Sequence, residues 1–430
     1  MIVGGGTAGF NAIRTMRQLG CTDDIALVSA ETPYSRMVLP YYLEQQISES
    51  RAYTASMNQL EAWGVKMHFG RRAAKLDTGS NTLTLDNDEA LTYDNLLIAT
   101  GSSAQKLPIP GADGARVYNF WTMADAKGLH QHLSSDAHVV MVGGGFIAFT
   151  ILSGVLSRAA KVTIVEVAPR VLPRMVDDAG AAIITAKLEQ AGVALKTGTS
   201  LSKIEDAGEK KRLTLADGST LDADVVVMAT GITANLGWLE GSGVTVNGGV
   251  EVDDQMRSNV ANVYAAGDVA AGKNRISGKR EVHAIEPTAM EHGRVAGANM
   301  AGQSASYGGS LLMNIVGVAG LDFASFGDWD AADAEAVTLN QPNRPAYRKY
   351  LFRGDVMVGA IFVGPSGDTW SSNDLGMIKG LVQSGRPLGP WKAHLAKNPL
   401  DVKKAYLASQ TVSALMGETT LGQPSADPRG

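Results

Sequence analysis

The sequence is poor in cysteine, since Cys21 is the only one among 430 residues. A single cysteine excludes an intramolecular disulfide, and it excludes a zinc or iron–sulfur site built from cysteine ligands alone. Cys21 follows the first helical stretch, where we expect a buried and unreactive thiol. The seven histidines form no ligand pair with acids or cysteine at helical spacing, so no metal site is expected from them.

Net positive charge is lacking as well. The formal charge is −5, which gives no electrostatic reason to expect a nucleic-acid or anionic-membrane partner. No basic, apolar leader is visible at the start, so the cytoplasm is the expected compartment. The uncharged run 139–156 contains Gly143, Gly144 and Gly145, and we interpret it as a buried strand, turn and helix rather than a membrane span.

Glycine, by contrast, is abundant, and the first glycine motif is at the start of the chain. An apolar strand leads into Gly4-x-Gly6-x-x-Gly9, and an amphipathic helix follows. Gly4 permits a tight turn, Gly6 lets the backbone approach a pyrophosphate, and Gly9 lets the helix pack on the strand. This pattern predicts a unit that binds a dinucleotide.

The residues after this motif extend the prediction. The helix begins near Thr7 and Ala8, and its unpaired N–H groups favour a phosphate. A second apolar run ends near Glu31, where a carboxylate should accept hydrogen bonds from the adenosine ribose. A neighbouring backbone group could do this instead, because the strand end can shift by one residue. Arg36 could reach the pyrophosphate with its fork of donors or remain a solvated loop arginine.

The same unit recurs in the middle of the chain. An apolar strand leads into Gly143-x-Gly145-x-x-Ala148, and Glu166 stands where the second ribose-binding acid is expected. Because an acid there repels a 2′-phosphate, we expect NADH rather than NADPH at this site. Two such units need two dinucleotides.

Each unit closes in the same small residues. One apolar strand ends in Ala99-Thr100-Gly101 and another in Ala229-Thr230-Gly231, so the backbone can pass close to a ligand at both places. A later strand delivers Gly267 and Asp268 at its carboxyl end, which is the edge where open α/β sheets bind ligands.

A helix is expected to start at the segment Glu286-Pro287-Thr288, because proline is suited to the first turn. Its N-terminus could stabilise negative charge on a bound cofactor. His283 and Glu286 could approach that cofactor, or their role could be confined to the loop.

The domain organisation follows from these units. The first dinucleotide-binding domain is expected at 1–112 and 240–303, with the second at 113–239. From 304 to 386 the pattern changes to short strands, a turn and a helix, which predicts an α+β domain. The remaining residues, 387–430, are poor in apolar side chains, so they are expected to be loosely ordered or laid on another surface.

The order of these motifs resembles the FAD/NAD-dependent pyridine-nucleotide-disulfide oxidoreductase superfamily over roughly residues 1–300. The segment Pro33-Tyr34-Ser35-Arg36 is similar to its ferredoxin-reductase and nitrite-reductase flavin-domain branch. The resemblance implies an α/β fold with two Rossmann-like domains, one for FAD and one for NADH, plus a C-terminal α+β interface domain. The implied FAD residues are Gly4, Gly6, Thr7, Ala8, Gly9, Glu31, Arg36, Ala99, Thr100, Gly101, Gly267, Asp268, Pro287 and Thr288. The implied NAD residues are Gly143, Gly145, Phe146, Ile147, Glu166, Thr230 and Gly231.

Positions at which the sequence departs from that family's pattern limit the reactions that we expect. Met37 stands where thiol-dependent members carry a redox cysteine, and a thioether cannot become a thiolate nucleophile. Tyr41 and Thr150 replace a lysine and a glutamate that ferredoxin-reductase-like members usually carry. Both halves of that charge pair are missing together, so neither charge is left buried alone.

The implied activity is hydride transfer between NADH and FAD, with electrons exchanged with an external iron–sulfur carrier or partner subunit. This suits the flavin subunit of a larger redox complex, such as a nitrite reductase or a molybdenum/tungsten oxidoreductase. A stand-alone NADH oxidase and a non-catalytic redox-sensing flavoprotein are the alternatives. The chain could act as a homodimer or within a hetero-oligomeric complex.

The C-terminal segment is a candidate for docking a partner, with a dimer arm or a loose end as alternatives. Trp370 and Trp391 could line an acceptor-binding face, although packing within the third domain is favoured. The lysines of the C-terminal segment are Lys392, Lys397, Lys403 and Lys404.

Overall fold

The computed structural model of the protein describes residues 1–411, except 55, 160, 342 and 344, together with residue 415; the side chains of residues 370 and 371 are not described. The expectations for the far end of the tail and for the side chain of Trp370 lie outside the described residues.

The secondary structure runs in four stretches. The first is β1 (Ile2–Val3), α1 (Thr7–Gln18), β2 (Ile25–Ser29), a 3-10 turn (Arg36–Val38), α2 (Leu39–Leu43), α3 (Glu49–Ala52), α4 (Met57–Ala62), β3 (Val65–Phe69), β4 (Ala73–Asp77), β5 (Thr82–Leu85), β6 (Ala90–Thr92), β7 (Leu96–Ile98) and β8 (Ser102–Ala104). The second is β9 (Val117–Tyr118), α5 (Met123–His132), β10 (His138–Val142), α6 (Phe146–Leu156), β11 (Lys161–Glu166), α7 (Asp178–Gln190), β12 (Val193–Thr197), β13 (Leu201–Ala207), β14 (Lys210–Leu215), β15 (Thr220–Ala223), β16 (Val225–Met228) and β17 (Ile232–Ala234).

The third stretch is a 3-10 turn (Gly237–Leu239), β18 (Val250–Glu251), β19 (Val263–Ala265), β20 (Ala270–Lys273), β21 (Arg280–Glu281) and α8 (Glu286–Met300). The fourth is β22 (Met313–Val318), β23 (Leu321–Gly327), β24 (Glu335–Gln341), β25 (Ala346–Arg353), β26 (Val356–Pro365), α9 (Thr369–Ser384), α10 (Pro390–Lys397) and α11 (Val402–Ala408).

The first sheet is parallel, with strand order β19-β7-β1-β2-β3. Its central strand β1 has only two residues, yet Ile2 pairs with Leu27 on one side and with Leu97 on the other. Strands β1, β2, β7 and β19 all end at the same edge, because they run in the same direction. This geometry brings the glycine loop, the segment after β2, the Ala-Thr-Gly segment and the loop after β19 together.

The second sheet repeats this plan, with parallel strand order β12-β11-β10-β16-β9. The apolar run 139–156 is strand β10, a glycine turn and helix α6, as expected from its internal glycines. Within the described residues, no helix is long and apolar enough to cross a membrane.

The third sheet is antiparallel, with strand order β22-β23-β26-β25-β24. Helices α9, α10 and α11 cover it, and Leu395, Val402 and Ala405 are buried in its core. The tail therefore lies on this domain as far as residue 411. Helix α10 was not expected from the sequence, although Pro390 is in its first turn.

The docking residues proposed for the tail are partly engaged inside this domain. Trp391 packs against the core cluster and contacts the His394 ring. The Lys392 ammonium lies 2.7 Å from Glu335, and the Lys404 ammonium lies 2.8 Å from Asp401. Among the described residues of the tail, Lys397, Lys403 and Lys404 are exposed.

Helices α1 and α8 pack unusually closely behind the first sheet's ligand edge. A Cβ on Gly293 would meet the Ala8 carbonyl oxygen at 2.2 Å, and a Cβ on Gly297 would meet that of Ala12 at 2.6 Å. Real side chains do not approach backbone so closely, so these glycines allow the two helices to lie side by side. Their N-termini consequently open onto the same space.

We expect Gly293→Ala to destabilise the protein, because its methyl group has no room beside Ala8. Overpacking of this kind costs about 1–3 kcal/mol. The matched control is Gly376→Ala in α9, where no described heavy atom lies within 4 Å of the added Cβ. Alanine in a helix interior is better than glycine by about 0.5–1 kcal/mol, so the control should be neutral or stabilised. Urea unfolding followed by circular dichroism measures both, and equal stabilities would contradict the packing argument.

Candidate functional site

A cleft of about 640 Å³ opens at the ligand edge of the first sheet. Eleven of the fourteen residues that the resemblance implied for FAD line it: Gly4, Gly6, Thr7, Ala8, Glu31, Arg36, Ala99, Thr100, Gly101, Gly267 and Asp268. Gly9 is in the first turn of α1, where the lack of a side chain lets the helix pack against the Gly4 carbonyl. Pro287 is exposed and Thr288 is buried, and neither lines the cleft.

The glycine loop fits close to the sheet. A Cβ on Gly4 would meet the Ala99 carbonyl oxygen at 2.0 Å, and one on Gly9 would meet the Gly4 carbonyl oxygen at 2.0 Å. Gly6 differs, because its φ is −73° and no described heavy atom lies within 4 Å of an added Cβ. Nothing within the described chain requires glycine at this position, so the space in front of Gly6 is suited to a ligand group.

The N-terminus of α1 points into that space. Gly6 is its N-cap, and no side chain among the described residues caps the helix. The first N–H groups of a helix and its positive dipole end form an anion site. An uncapped helix start beside an open glycine therefore fits the pyrophosphate of FAD.

The segment after β2 lies at one end of the cleft. The Tyr34 hydroxyl donates to Glu31 at 3.1 Å, and the Arg36 guanidinium lies 3.4 Å from the same carboxylate. Burial raises the pKa of Tyr34 to about 12, so this hydroxyl stays a donor. Arg36 also donates to the Trp121 carbonyl oxygen and lies over the Trp121 ring. Arg36 is thus held at the cleft wall, and its contact with the pyrophosphate stays a prediction.

Asp268 stands at the carboxyl end of β19, as its position in the sequence indicated. Its carboxylate accepts a hydrogen bond of 2.6 Å from Ser102, and the Ser102 carbonyl accepts one of 2.7 Å from the Trp121 indole. Desolvation raises the pKa of Asp268, and the Ser102 hydrogen bond opposes that rise. Carboxylate oxygens at this place can accept hydrogen bonds from the hydroxyl groups of a ribityl chain.

His292 supports the loop that carries Asp268. The Gly267 N–H donates to His292 Nδ1 at 3.4 Å, and the ring lies edge-on to Tyr307. Burial lowers the pKa of His292 to about 3, so the ring is neutral and its Nδ1 accepts. The sequence indicated only that this histidine is not a metal ligand, and the structure places it buried behind the cleft.

The start of α8 brings Glu286 to the cleft instead of Pro287 and Thr288. One Glu286 oxygen lies 2.7 Å from the Ser35 hydroxyl and 3.1 Å from the Thr7 hydroxyl. Successive residues of a helix point about 100° apart, so only the first of the three residues faces the ligand space. His283 has the loop role, because it is buried and contacts Ser310 at 2.5 Å.

The second sheet carries a matching loop. A Cβ on Gly143 would meet the Ala229 carbonyl oxygen at 2.3 Å, whereas one on Gly145 meets no described atom within 4 Å. Gly145 has φ −89° and is the N-cap of α6, again with no capping side chain from the described part of the chain. The same pair of features therefore fits a second pyrophosphate. Phe146 and Ile147 form the first turn of this helix.

Glu166 is held beside that loop. Its two oxygens accept hydrogen bonds from the Gly144 N–H at 2.6 Å and the Ala168 N–H at 2.7 Å. The carboxylate is buried and is thus fixed at the end of β11, where it can accept from a ribose and repel a 2′-phosphate. The Thr230 hydroxyl donates to the Gln105 carbonyl at 2.9 Å, and the Gln105 N–H donates to the Gly231 carbonyl at 2.9 Å.

Three residues differ from those that the resembled family usually carries, and each is either exposed or hydrogen-bonded within the chain. Met37 and Tyr41 have 46% and 50% of their surface exposed, and Met37 lines the cleft. The Thr150 hydroxyl donates to the Ile147 carbonyl at 2.7 Å. Cys21 is half-buried rather than fully buried, because it lies in the turn after α1, and it is not among the residues that line the cleft. Among the described residues, no group of histidines, cysteines and acids could hold a metal ion.

Comparison with known proteins identifies the family. Residues 1–303 match the family described as pyridine nucleotide-disulphide oxidoreductase, and residues 313–384 match the rubredoxin NAD+ reductase C-terminal domain. The chain therefore belongs to the pyridine nucleotide-disulphide oxidoreductase family, and it is an oxidoreductase that uses FAD and NAD(H). The family and the fold expected from the motifs are both confirmed.

Individual relatives extend this match. The chain is 29% identical to the NADH-dependent phenylglyoxylate dehydrogenase subunit epsilon of Aromatoleum evansii, over 96% of this chain and 97% of that one. It is 33% identical to the rubredoxin-NAD(+) reductase of Pseudomonas putida, over 65% of this chain and 73% of that one. A ferredoxin reductase structure from Rhodopseudomonas palustris has the same fold, with a TM-score of 0.84 and 23% identity over 94% of this chain and 98% of that one.

We expect Gly6→Ala to weaken FAD binding at least tenfold while lowering the stability of the apoprotein by no more than about 1 kcal/mol, because alanine is a poorer N-cap than glycine. The added methyl group would enter the ligand space without touching the described chain. Gly9→Ala is the comparison, and it should destabilise the apoprotein because its methyl group meets the Gly4 carbonyl. Fluorescence titration with FAD and urea unfolding measure the two quantities. Unchanged affinity in Gly6→Ala would contradict the assignment of this space.

We expect Glu166→Gln to lower kcat/KM for NADH at least tenfold and to reduce the preference for NADH over NADPH. A hydrogen bond to a charged group contributes about 1.5–3 kcal/mol, and the amide no longer repels a 2′-phosphate. Steady-state rates with both nucleotides give the result. A surface change on the same domain, Glu189→Gln, serves as the control, and equal losses in both variants would contradict the role of Glu166.

Proposed function

We propose that this protein is an FAD-dependent NADH:acceptor oxidoreductase that exchanges electrons with an external iron–sulfur carrier or partner subunit. The observation that carries the proposal is the repetition, in one chain, of an uncapped helix start beside an open glycine. Each copy fits one dinucleotide. A protein that holds two dinucleotides can move a hydride from one to the other.

Residues of this chain would bind the two nucleotides and orient them. At the first site, the glycine loop would hold the FAD pyrophosphate, Glu31 the adenosine ribose and Asp268 the ribityl chain. At the second, Gly145 and Glu166 would hold NADH. When bound, FAD supplies the redox chemistry, since it takes two electrons as a hydride from NADH and can release them one at a time.

The acceptor is inferred from the missing thiol. Met37 lines the cleft where thiol-dependent members of the family carry cysteine, and Cys21 is elsewhere. Electrons cannot then leave through a disulfide. Dissolved oxygen and an external one-electron carrier are the outlets that remain, and relatives named as rubredoxin reductases favour the carrier.

We further propose that the chain works as the flavin subunit of a larger redox complex. The relative matched over nearly its whole length is named as a subunit of an NADH-dependent dehydrogenase. The match with that subunit covers 96% of this chain. We take an iron–sulfur subunit as the partner, because a reduced flavin can pass its electrons singly to such a centre.

The domain boundaries and site residues given above form part of the proposal. They are supported by strand membership, since β1, β2, β3, β7 and β19 share one sheet and β9 to β12 with β16 share another. We also propose a cytoplasmic location, because the reaction consumes NADH. A homodimer or a hetero-oligomer is compatible with this function.

We expect anaerobic mixing of the FAD-loaded protein with NADH to bleach the flavin absorbance within the time of one turnover. Reoxidation should then be fast with an added rubredoxin or ferredoxin and at least tenfold slower with dissolved oxygen alone. Stopped-flow absorbance at the flavin maximum measures both half-reactions.

The same experiment separates the alternatives. Fast turnover with oxygen alone would show a stand-alone NADH oxidase. A flavin that is not reduced by NADH on this timescale would show a non-catalytic flavoprotein. The control is Glu166→Gln, in which bleaching should become slower while reoxidation by the carrier stays unchanged.

A further inference from the structure

Glu286 lies in the half of the cleft that belongs to the flavin. The pyrophosphate is assigned to the glycine loop and the adenosine to Glu31, so the opposite side of the loop takes the isoalloxazine and ribityl groups. The cleft lining includes Met37, Ser102, Asp268 and Glu286, and the Ser102 hydroxyl donates to Asp268. Glu286 is thus a second carboxylate there, beside the expected Asp268.

Hydrogen bonds hold the Glu286 carboxylate in place. Each of its oxygens lies 2.7 Å from the Ser35 hydroxyl, and one lies 3.1 Å from the Thr7 hydroxyl. The three residues come from the start of α8, the segment after β2 and the start of α1. A carboxylate gripped by two hydroxyl groups from separate elements has a defined position rather than that of a mobile surface side chain.

The charge of Glu286 opposes the helix on which it is carried. The N-terminus of α8 has no side-chain cap within the described chain, and a bare helix start carries about +0.5 elementary charge. From the sequence we expected this helix to stabilise negative charge on the reduced cofactor. The carboxylate of Glu286 lies in the first turn of this helix, so its negative charge, when ionised, acts against the partial positive charge of the helix start.

One other charge along the cleft opposes this effect, because the positive charge of Arg36 reaches Asp268 and works against the rise in the pKa of that carboxyl. Asp268 is also acidic and lies on the same side. Arg36 lies beside Glu31 and over the Trp121 ring. The remaining basic residues of the wall are Arg71 and Arg72, and the Arg71 N–H donates to the Ser29 carbonyl at the end of β2.

We propose that Glu286 lowers the reduction potential of the bound FAD. Reduction places negative charge on the isoalloxazine, and a fixed carboxylate disfavours that charge. A cofactor that is harder to reduce is a stronger reductant once reduced, which suits delivery to an iron–sulfur centre. The inference rests on FAD binding in this cleft, whereas the identity of the acceptor does not enter it.

The test is a reductive titration of the FAD-loaded protein against a redox dye, with absorbance as the readout. Glu286→Gln keeps groups that can bond Ser35 and Thr7 but removes the charge. It should shift the equilibrium at least tenfold toward reduced FAD, which for a two-electron couple is about 30 mV more positive. Glu286→Ala should shift it in the same direction, and Glu286→Asp should stay within threefold of the parent.

The matched control is Glu291→Gln, which removes one charge from the same helix at a residue that does not line the cleft. It should change the equilibrium less than threefold. A shift below threefold in Glu286→Gln, or a shift toward oxidised FAD, would overturn the proposal. Loss of FAD binding in Glu286→Gln would also overturn it, because Glu286 would then be a binding residue. If the parent protein itself does not retain FAD, the proposed function fails as well.

Discussion

The contact between each glycine loop and the strand beside it is the constraint on which the structure depends. Gly4 lies against the Ala99 carbonyl and Gly143 against the Ala229 carbonyl, both too close for any side chain. Each loop therefore lies directly against the end of its sheet, and the helix that follows the loop starts at the ligand edge. Gly6 and Gly145 then face open space, and each loop can take a pyrophosphate.

Residues near one another in sequence were the ones that sequence reasoning could place. Gly4, Glu31 and Glu166 follow from local spacing in a strand–turn–helix–strand unit, because parallel strands end at a common edge. Asp268 follows in the same way from its strand. Helix α10 was missed because the segment after Pro387 has few apolar residues, and the core that it covers is formed by other elements.

Contacts between residues that are far apart in the sequence could not be predicted from the sequence. Glu286 meets Ser35 across 251 positions and Thr7 across 279, and no local pattern specifies that meeting. Pro287 and Thr288 do not line the cleft, and their contact with the cofactor stays a prediction. The position of a helix start was predictable, but which of its first residues faces the cleft depends on how α8 packs against α1.

The central claim is that one chain holds two dinucleotides at once, and binding stoichiometry tests it most directly. Equilibrium dialysis of the protein with FAD and NAD+ together should give one FAD and one NAD+ per chain, with neither displacing the other. A total of one nucleotide per chain, or displacement of FAD by NAD+, would contradict the account.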